Sequence, residues 1–290
     1  MLDEKLVPRD LVQAVLISLI HPRPILISTK SNSQYVERQT ETVVEALLGS
    51  FKRSLGVVPC HEDVTWPLLT DRLAACQSSA LILRNVERLP QSVQLHLGYA
   101  MMQPDRTLEK FITNSALILT TRAPIETLHP YLRRQILLKI DLGSGDDLFM
   151  VEVPAQLPSE KTNLEKALSQ IRAAIGQIMV VPELVRYIHD IVIFVRTHRL
   201  ARMGLKPQAA TDFETLTRTL CVLQGRKFAT PTVIKQAARL SLPVHVRLIS
   251  PEDEPSLQYG GDLDTAREWI KVWDGDVLID SVLEQVQVPK

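Results

Sequence analysis

Apolar positions along the first half of the chain alternate between two periods. Residues 8–20 carry them at spacings of three and four, which predicts a helix. Residues 25–28 form a short continuous apolar run after His21-Pro22-Arg23-Pro24, the mark of a buried strand. An amphipathic helix is predicted from residue 35 or 37 to 51, with Val43, Val44, Leu47 and Leu48 inward. Residues 57–61, 80–83, 116–121 and 136–140 read as further strands, and 68–76 and 90–102 as helices. Apolar strands that alternate with helices predict an α/β domain: a parallel sheet covered on both faces.

The pattern changes after residue 142. Gly143, Gly145, Pro154 and Pro158 crowd one stretch, which predicts a linker over 143–160. Beyond it helical spacing dominates, at 161–178, 182–198, 212–224 and 231–240. Pro182-Glu183, Thr211-Asp212 and Thr230-Pro231 supply the start signals. Residues 244–249 read as a strand, 250–261 as a loop, and 263–272 and 277–286 as two last helices. The expected organisation is an α/β core over 1–142, the linker, a helical domain over 161–249 and a C-terminal extension over 250–290. No long internal repeat interrupts it.

Composition adds little except through the distribution of charge. The chain has 290 residues, 45% hydrophobic and 23% charged, as a globular protein with a sizeable core requires. Its formal net charge is zero, so no whole-molecule field draws it to nucleic acid or acidic lipid. From residue 251 to 290, however, ten acidic residues face three basic ones, a net −7 that leaves +7 on the rest. That split suits an acidic tail folded on a basic body. The three cysteines, Cys60, Cys76 and Cys221, are odd in number and lack metal-ligand spacing, which points to a reducing intracellular compartment. The sequence does not distinguish cytoplasm from nucleus. Arg9 and Asp10 interrupt the apolar run at 6–20, so it reads as a packed helix rather than a signal peptide. No run approaches the roughly 20 apolar residues of a membrane span, and no membrane partner is expected.

An α/β domain followed by a helical one suggests an AAA+ architecture, and particular segments resemble it. Leu81-Ile82-Leu83-Arg84-Asn85-Val86-Glu87-Arg88-Leu89-Pro90 is similar to the Walker B segment of MoxR-type and magnesium-chelatase-type AAA+ proteins. The stretch from Val185 through Arg199, then Gly204 to Ala209, then Gly225-Arg226-Lys227-Phe228-Ala229-Thr230-Pro231 resembles that family's lid. Within these relatives, Arg186-Tyr187-Ile188-His189-Asp190-Ile191, Arg196-Thr197-His198-Arg199-Leu200, Gly225-Arg226-Lys227-Phe228 and Ser256-Leu257-Gln258-Tyr259-Gly260 look like the fungal maintenance-of-telomere-capping protein 2 family. The resemblance implies a link to chromosome-end protection and no particular reaction.

The residues that the AAA+ resemblance makes functional can be checked one by one. A phosphate loop needs glycines to let backbone amides close on phosphate, a lysine, and a hydroxyl for Mg²⁺. The matching stretch, Ser28 to Tyr35, has no glycine, and Gln34 stands at the lysine's place; Lys30 is the residual phosphate-binding candidate. Arg84 and Asn85 replace the acidic pair of Walker B, and an arginine there repels a metal ion. Ala123 falls at the polar sensor, Gln135 at the arginine finger with Arg134 beside it, and Gln208 at the second sensor arginine. The expected consequence is a pseudo-ATPase with no catalytic residue, cofactor or metal. It would work through protein partners as a monomer or small oligomer.

Two further groups are candidates for contact with a partner or an anion. Arg196, His198, Arg199, Arg202 and Lys206 gather near one helix end, where they could meet nucleic acid or only complement the helix C-terminus; the second reading is favoured. Trp269 and Trp273 lie four apart on one helix face, as core residues or as a recognition stripe. Cys60-His61-Glu62-Asp63 resembles a metal cluster but reads better as a loop after a strand. The alternatives to a pseudo-ATPase scaffold are therefore an AAA+ ATPase with nonstandard site residues and a DNA-binding lid.

Overall fold

The computed structural model describes residues 6–21, 23–29, 41–42, 44–45, 54–76, 78, 80–102, 116–142, 150–152, 164–202 and 204–289. The chain divides into two compact units, Met1–Ala173 and Ala174–Lys290.

The first unit is organised by a five-stranded parallel sheet. Its strands are β2 (Ile25–Thr29), β3 (Leu55–Pro59), β4 (Ala80–Arg84), β5 (Ala116–Thr121) and β6 (Leu138–Leu142), in the order β3-β4-β5-β2-β6. All residues of β2 and β5 are buried, as their unbroken apolar runs require of central strands covered on both faces. The edge strand β6 alternates instead, and Lys139 and Asp141 on its outer face pair at 2.8 Å. Helices α1 (Arg9–Ile20), α2 (Trp66–Ala75), α3 (Gln91–Met102) and the short α4 (Pro130–Arg133) belong to the same unit. Gly98 is what lets α3 approach α4. A Cβ there would stand 2.8 Å from the backbone of Tyr131 and Leu132.

Two strands escape the sequence pattern. β1 (Leu6–Pro8) and β7 (Met150–Glu152) pair antiparallel, so part of the stretch expected as linker is a strand. Three residues are too few to show a period of two.

The second unit is helical. It holds α6 (Pro182–Thr197), α7 (Pro207–Leu223), α8 (Pro231–His245), α9 (Leu263–Lys271) and α10 (Gly275–Gln285); α5 (Leu164–Gly176) runs across the division. Tyr187, Ile191, Phe213, Leu216, Leu220, Ile234 and Leu242 are fully or nearly buried at its centre. Residues 244–249 are not a strand. The helix continues through Pro243 to His245, and only Leu248 forms an isolated bridge, with Ala201. Pro243 lies inside the helix, two residues before its end, and cannot donate the usual hydrogen bond to the carbonyl four residues earlier. Helix α7 also starts five residues before the expected Asp212, with Pro207 in its first turn, and Asp212 is buried within it.

The expected C-terminal extension is part of this unit. Leu278, Ile279 and Val282 of α10 are completely buried, and Gly275 meets Pro243 of α8 so closely that a Cβ would stand 3.0 Å from its carbonyl oxygen. Asp262 and Asp274 cap α9 and α10, accepting from the Thr265 and Val277 amides.

Candidate functional site

In a doubly wound sheet a ligand site lies beyond the carboxyl ends of the strands, where the strand order reverses. Here that point is at β2 and β5, since the chain leaves β2 for the far edge strand β3 and returns through β4 and β5 before adding β6 on β2's other side. The residues gathered there are Thr29, Arg84, Asn85, Thr120 and Thr121, the last residues of β2, β4 and β5 and the one that follows β4. Lys30 and Gln34 lie outside the described residues.

Several polar groups at these strand ends meet another part of the chain, while Arg84 Nε and Asn85 Oδ1 are buried without a hydrogen-bond partner among the described residues. The Arg84 guanidinium forms an ion pair with the Glu41 carboxylate, both partly buried, while its carbonyl accepts from the Cys60 amide at 2.9 Å. Asn85 adopts the left-handed backbone conformation at φ 57° and ψ 55° and opens a short 3₁₀ turn, Val86–Arg88. Asparagine tolerates that region better than most residues. Its amide donates to the Thr120 hydroxyl at 3.1 Å. Thr29 donates to the Thr121 carbonyl at 3.4 Å, and the Thr121 hydroxyl is used by Ala123, whose amide donates to it at 3.2 Å.

Glu87 is the acid nearest this end of β4 in sequence. One oxygen accepts from the Arg122 amide at 3.3 Å, and the other is buried without a partner among the described residues. Burial, and then the Glu87 carboxylate, push the Cys60 thiol up to about 12, against the opposing charge of Arg72. Cys60 is therefore a protonated, inert thiol. His61, Glu62 and Asp63 follow it in an exposed turn, as expected of a loop after a strand.

The other degenerate positions are placed as follows. Ala123 lies two residues past β5, so the polar side chains at that strand end are Thr120 and Thr121. Gln135 follows α4, and the Arg23 guanidinium grips the carbonyls of Arg134 and Gln135 at 2.9–3.1 Å. In the second unit, Gln208 is exposed on the first turn of α7 and donates to Asp212 at 2.9 Å. Sequence reasoning missed Glu41, Glu87, Thr120 and Thr121. Thr120 and Thr121 had a usable signal, a Thr-Thr pair that ends an apolar strand run. Glu41 had none, because its pairing with Arg84 spans 43 residues.

At these strand ends a Mg²⁺ ion would meet a guanidinium where it needs carboxylates. The Glu41 carboxylate beside Arg84 is already its partner. Among the described residues, no group of three or more His, Cys, Asp or Glu side chains could hold a metal ion.

The basic cluster of the second unit is largely engaged within the unit. Arg196 donates to the Leu205 carbonyl at 3.0 Å and packs along Gly204. Arg199 donates to Glu254, a carboxylate only 2% exposed, and lies over the Trp269 ring at 5.4 Å. The Ser256 side chain, with Arg199 and the Ser256 amide, holds Glu254 below the usual carboxylate range against its burial. Arg202 pairs with Asp253 at 3.3 Å. His198 accepts from the Leu200 amide, its ring lies 5.6 Å from Trp273, and burial lowers its pKa. Trp269 and Trp273 meet edge to face at 6.0 Å. Lys206 is exposed at the N-cap of α7. The charge split along the sequence thus corresponds to acids of 251–290 seated on Arg199, Arg202 and Arg239.

Comparison with known proteins agrees with this architecture. Residues 193–260 match the AAA lid domain family model. The chain is similar to maintenance of telomere capping protein 2 of Lachancea thermotolerans, 28% identical over 195 residues, which are 66% of this chain and 64% of that protein. The protein of the same name from Saccharomyces cerevisiae strain S288c is 27% identical over 137 residues, 46% of this chain and 38% of that protein. The chain therefore matches less than two thirds of the length of either relative. A crystal structure of a candidate ATPase from Cytophaga hutchinsonii superimposes with a TM-score of 0.67 at 16% identity, covering 99% of this chain and 92% of that one. The fold is AAA+-like: a parallel α/β sheet with a helical lid.

Proposed function

We propose that this chain is a pseudo-ATPase: an AAA+-like scaffold that neither hydrolyses ATP nor needs it, and that acts by holding protein partners. The observation that carries the reading is the ion pair between Arg84 and Glu41. It puts a cation where Walker B chemistry requires a metal-binding acid, and it engages the carboxylate that stands beside it. Asn85 beside it is a neutral amide, which supplies neither an anionic metal ligand nor a proton acceptor. Gln208 replaces a transition-state cation with a neutral amide that bonds to Asp212, a change that costs orders of magnitude in rate where such a charge is used. The name of the yeast relatives adds a link to telomere capping to the proposal.

The internal ion pairs of Arg199 and Arg202 weigh against a DNA-binding lid, since phosphate would have to displace Glu254 and Asp253. The test is phosphate release from Mg·ATP by the purified chain. Background release is expected, unchanged in Arg84→Ala. Turnover above background that falls in Arg84→Ala would show instead an ATPase with nonstandard residues.

A further inference from the structure

The second unit has one corner at which cations and apolar side chains lie together and open to solvent. Met179 and Phe228 face each other in an isolated parallel bridge. The bridge is fixed by its backbone, with the Met179 amide donating to Lys227 at 3.1 Å and the Ala229 amide donating to Met179 at 3.0 Å. Gly225, at φ +67°, turns the chain out of α7 into this segment, and the Arg226 amide ties it back to Cys221 at 2.8 Å. Ile178 and Ala229 are buried beneath, yet Met179 is 66% exposed, Phe228 57% and Val181 41%. Paired residues of a bridge project to the same face, and Arg226 lies two residues before Phe228.

The charge here differs from that of Arg199 and Arg202 in the basic cluster. Ion pairs of this unit engage Arg199, Arg202, Arg218, Arg239 and Arg267. Arg226 reaches only the Thr230 hydroxyl, at 3.4 Å, and Lys227 is exposed beside it. The corner is therefore a rigid apolar pair with two cations that no carboxylate of the described residues neutralises. A flexible thioether beside an aromatic ring accommodates varied apolar side chains, and the cations select what flanks them.

We propose that the corner formed by Met179, Val181, Phe228, Arg226 and Lys227 is a docking surface for an acidic amphipathic segment of a partner protein. The apolar side chains of that segment would cover Met179 and Phe228, and its carboxylates would meet Arg226 and Lys227. An anionic membrane is the poorer match, because peripheral binding of that kind draws on clusters of roughly four to eight basic residues. The proposal rests on the reading of the chain as an interaction module and names the partner's chemistry.

The test uses the full chain and a labelled synthetic helix with leucines on one face and glutamates on the other, followed by fluorescence anisotropy. A twin with lysines in place of the glutamates and vesicles of phosphatidylcholine with phosphatidylserine are run beside it. Saturable binding of the acidic helix is expected, weakened by salt and by Arg226→Glu or Lys227→Glu. Phe228→Ser should raise Kd roughly tenfold, as loss of a central anchor does, with an unchanged urea midpoint to show that the fold is intact. Equal binding of the lysine twin, full binding by Phe228→Ser, or vesicle binding without helix binding would each overturn the proposal. Nucleotide binding is a separate readout: Mg·ATP affinity with helix binding intact would remove the pseudo-ATPase reading and leave this surface standing.

Discussion

The strand ends of the first unit and the Gly225–Phe228 corner of the second each carry an arginine, to opposite effect. At the strand ends Arg84 meets Glu41, the Asn85 backbone amide meets Thr120 and Thr29 meets Thr121. At the corner Arg226, Lys227, Met179 and Phe228 face solvent. A polar group that has found an internal partner contributes to the fold and resists a ligand that must break the contact. One left exposed on a rigid base contributes little to stability and can be used for binding. The difference separates an arginine paired within the fold from cations open to solvent.

Substitutions in the two units should therefore differ in stability cost, and the expected effects run from large to negligible. Gly98→Ala should be the most damaging, at roughly 2–3 kcal/mol by chemical denaturation, because its Cβ meets the backbone of Tyr131 and Leu132 rather than a side chain that can move. His21 comes next and adds a pH dependence. Burial, then Arg172 and Arg23, lower its pKa to about 4 from 6.5. The unfolded state thus takes up its proton first, and stability present above pH 6.5 is lost as pH falls towards 4. About 1–2 kcal/mol is expected from that titration after allowance for solvent screening, and His21→Gln should flatten the profile. A double-mutant cycle on Glu41 and Arg84 should give a coupling of about 1 kcal/mol, since the pair is only partly buried. Phe228→Ser should change stability by less than about 0.5 kcal/mol. A large loss there, or none at Gly98, would break the distinction between the two regions.

Much of the fold was legible because a central parallel strand must be apolar on both faces. The runs at 25–28, 80–83 and 116–121 identify β2, β4 and β5 within a residue at either end. What periodicity could not show was short or non-local. β1 and β7 have three residues each. The helix expected over 231–240 runs on through Pro243 to His245, although the pattern predicts a strand from residue 244. At the candidate site, Arg84 and Asn85 were visible as departures from a motif, whereas the reason they matter, pairing with Glu41 and Thr120, depends on contacts 43 and 35 residues apart. The basic cluster was legible as charge, but its neutralisation was not, since Arg199 meets Glu254 across 55 residues. The exposed cations at Arg226 and Lys227 could be told from the paired ones only by structure.

The central proposal is that the chain does not bind nucleotide at these strand ends, where Arg84 is paired with Glu41. Isothermal titration calorimetry with ATP or ADP in Mg²⁺ tests it most directly. The account predicts no saturable heat up to millimolar nucleotide, in the native chain and in Glu41→Gln alike. Saturable binding at micromolar concentration by the native chain would contradict it.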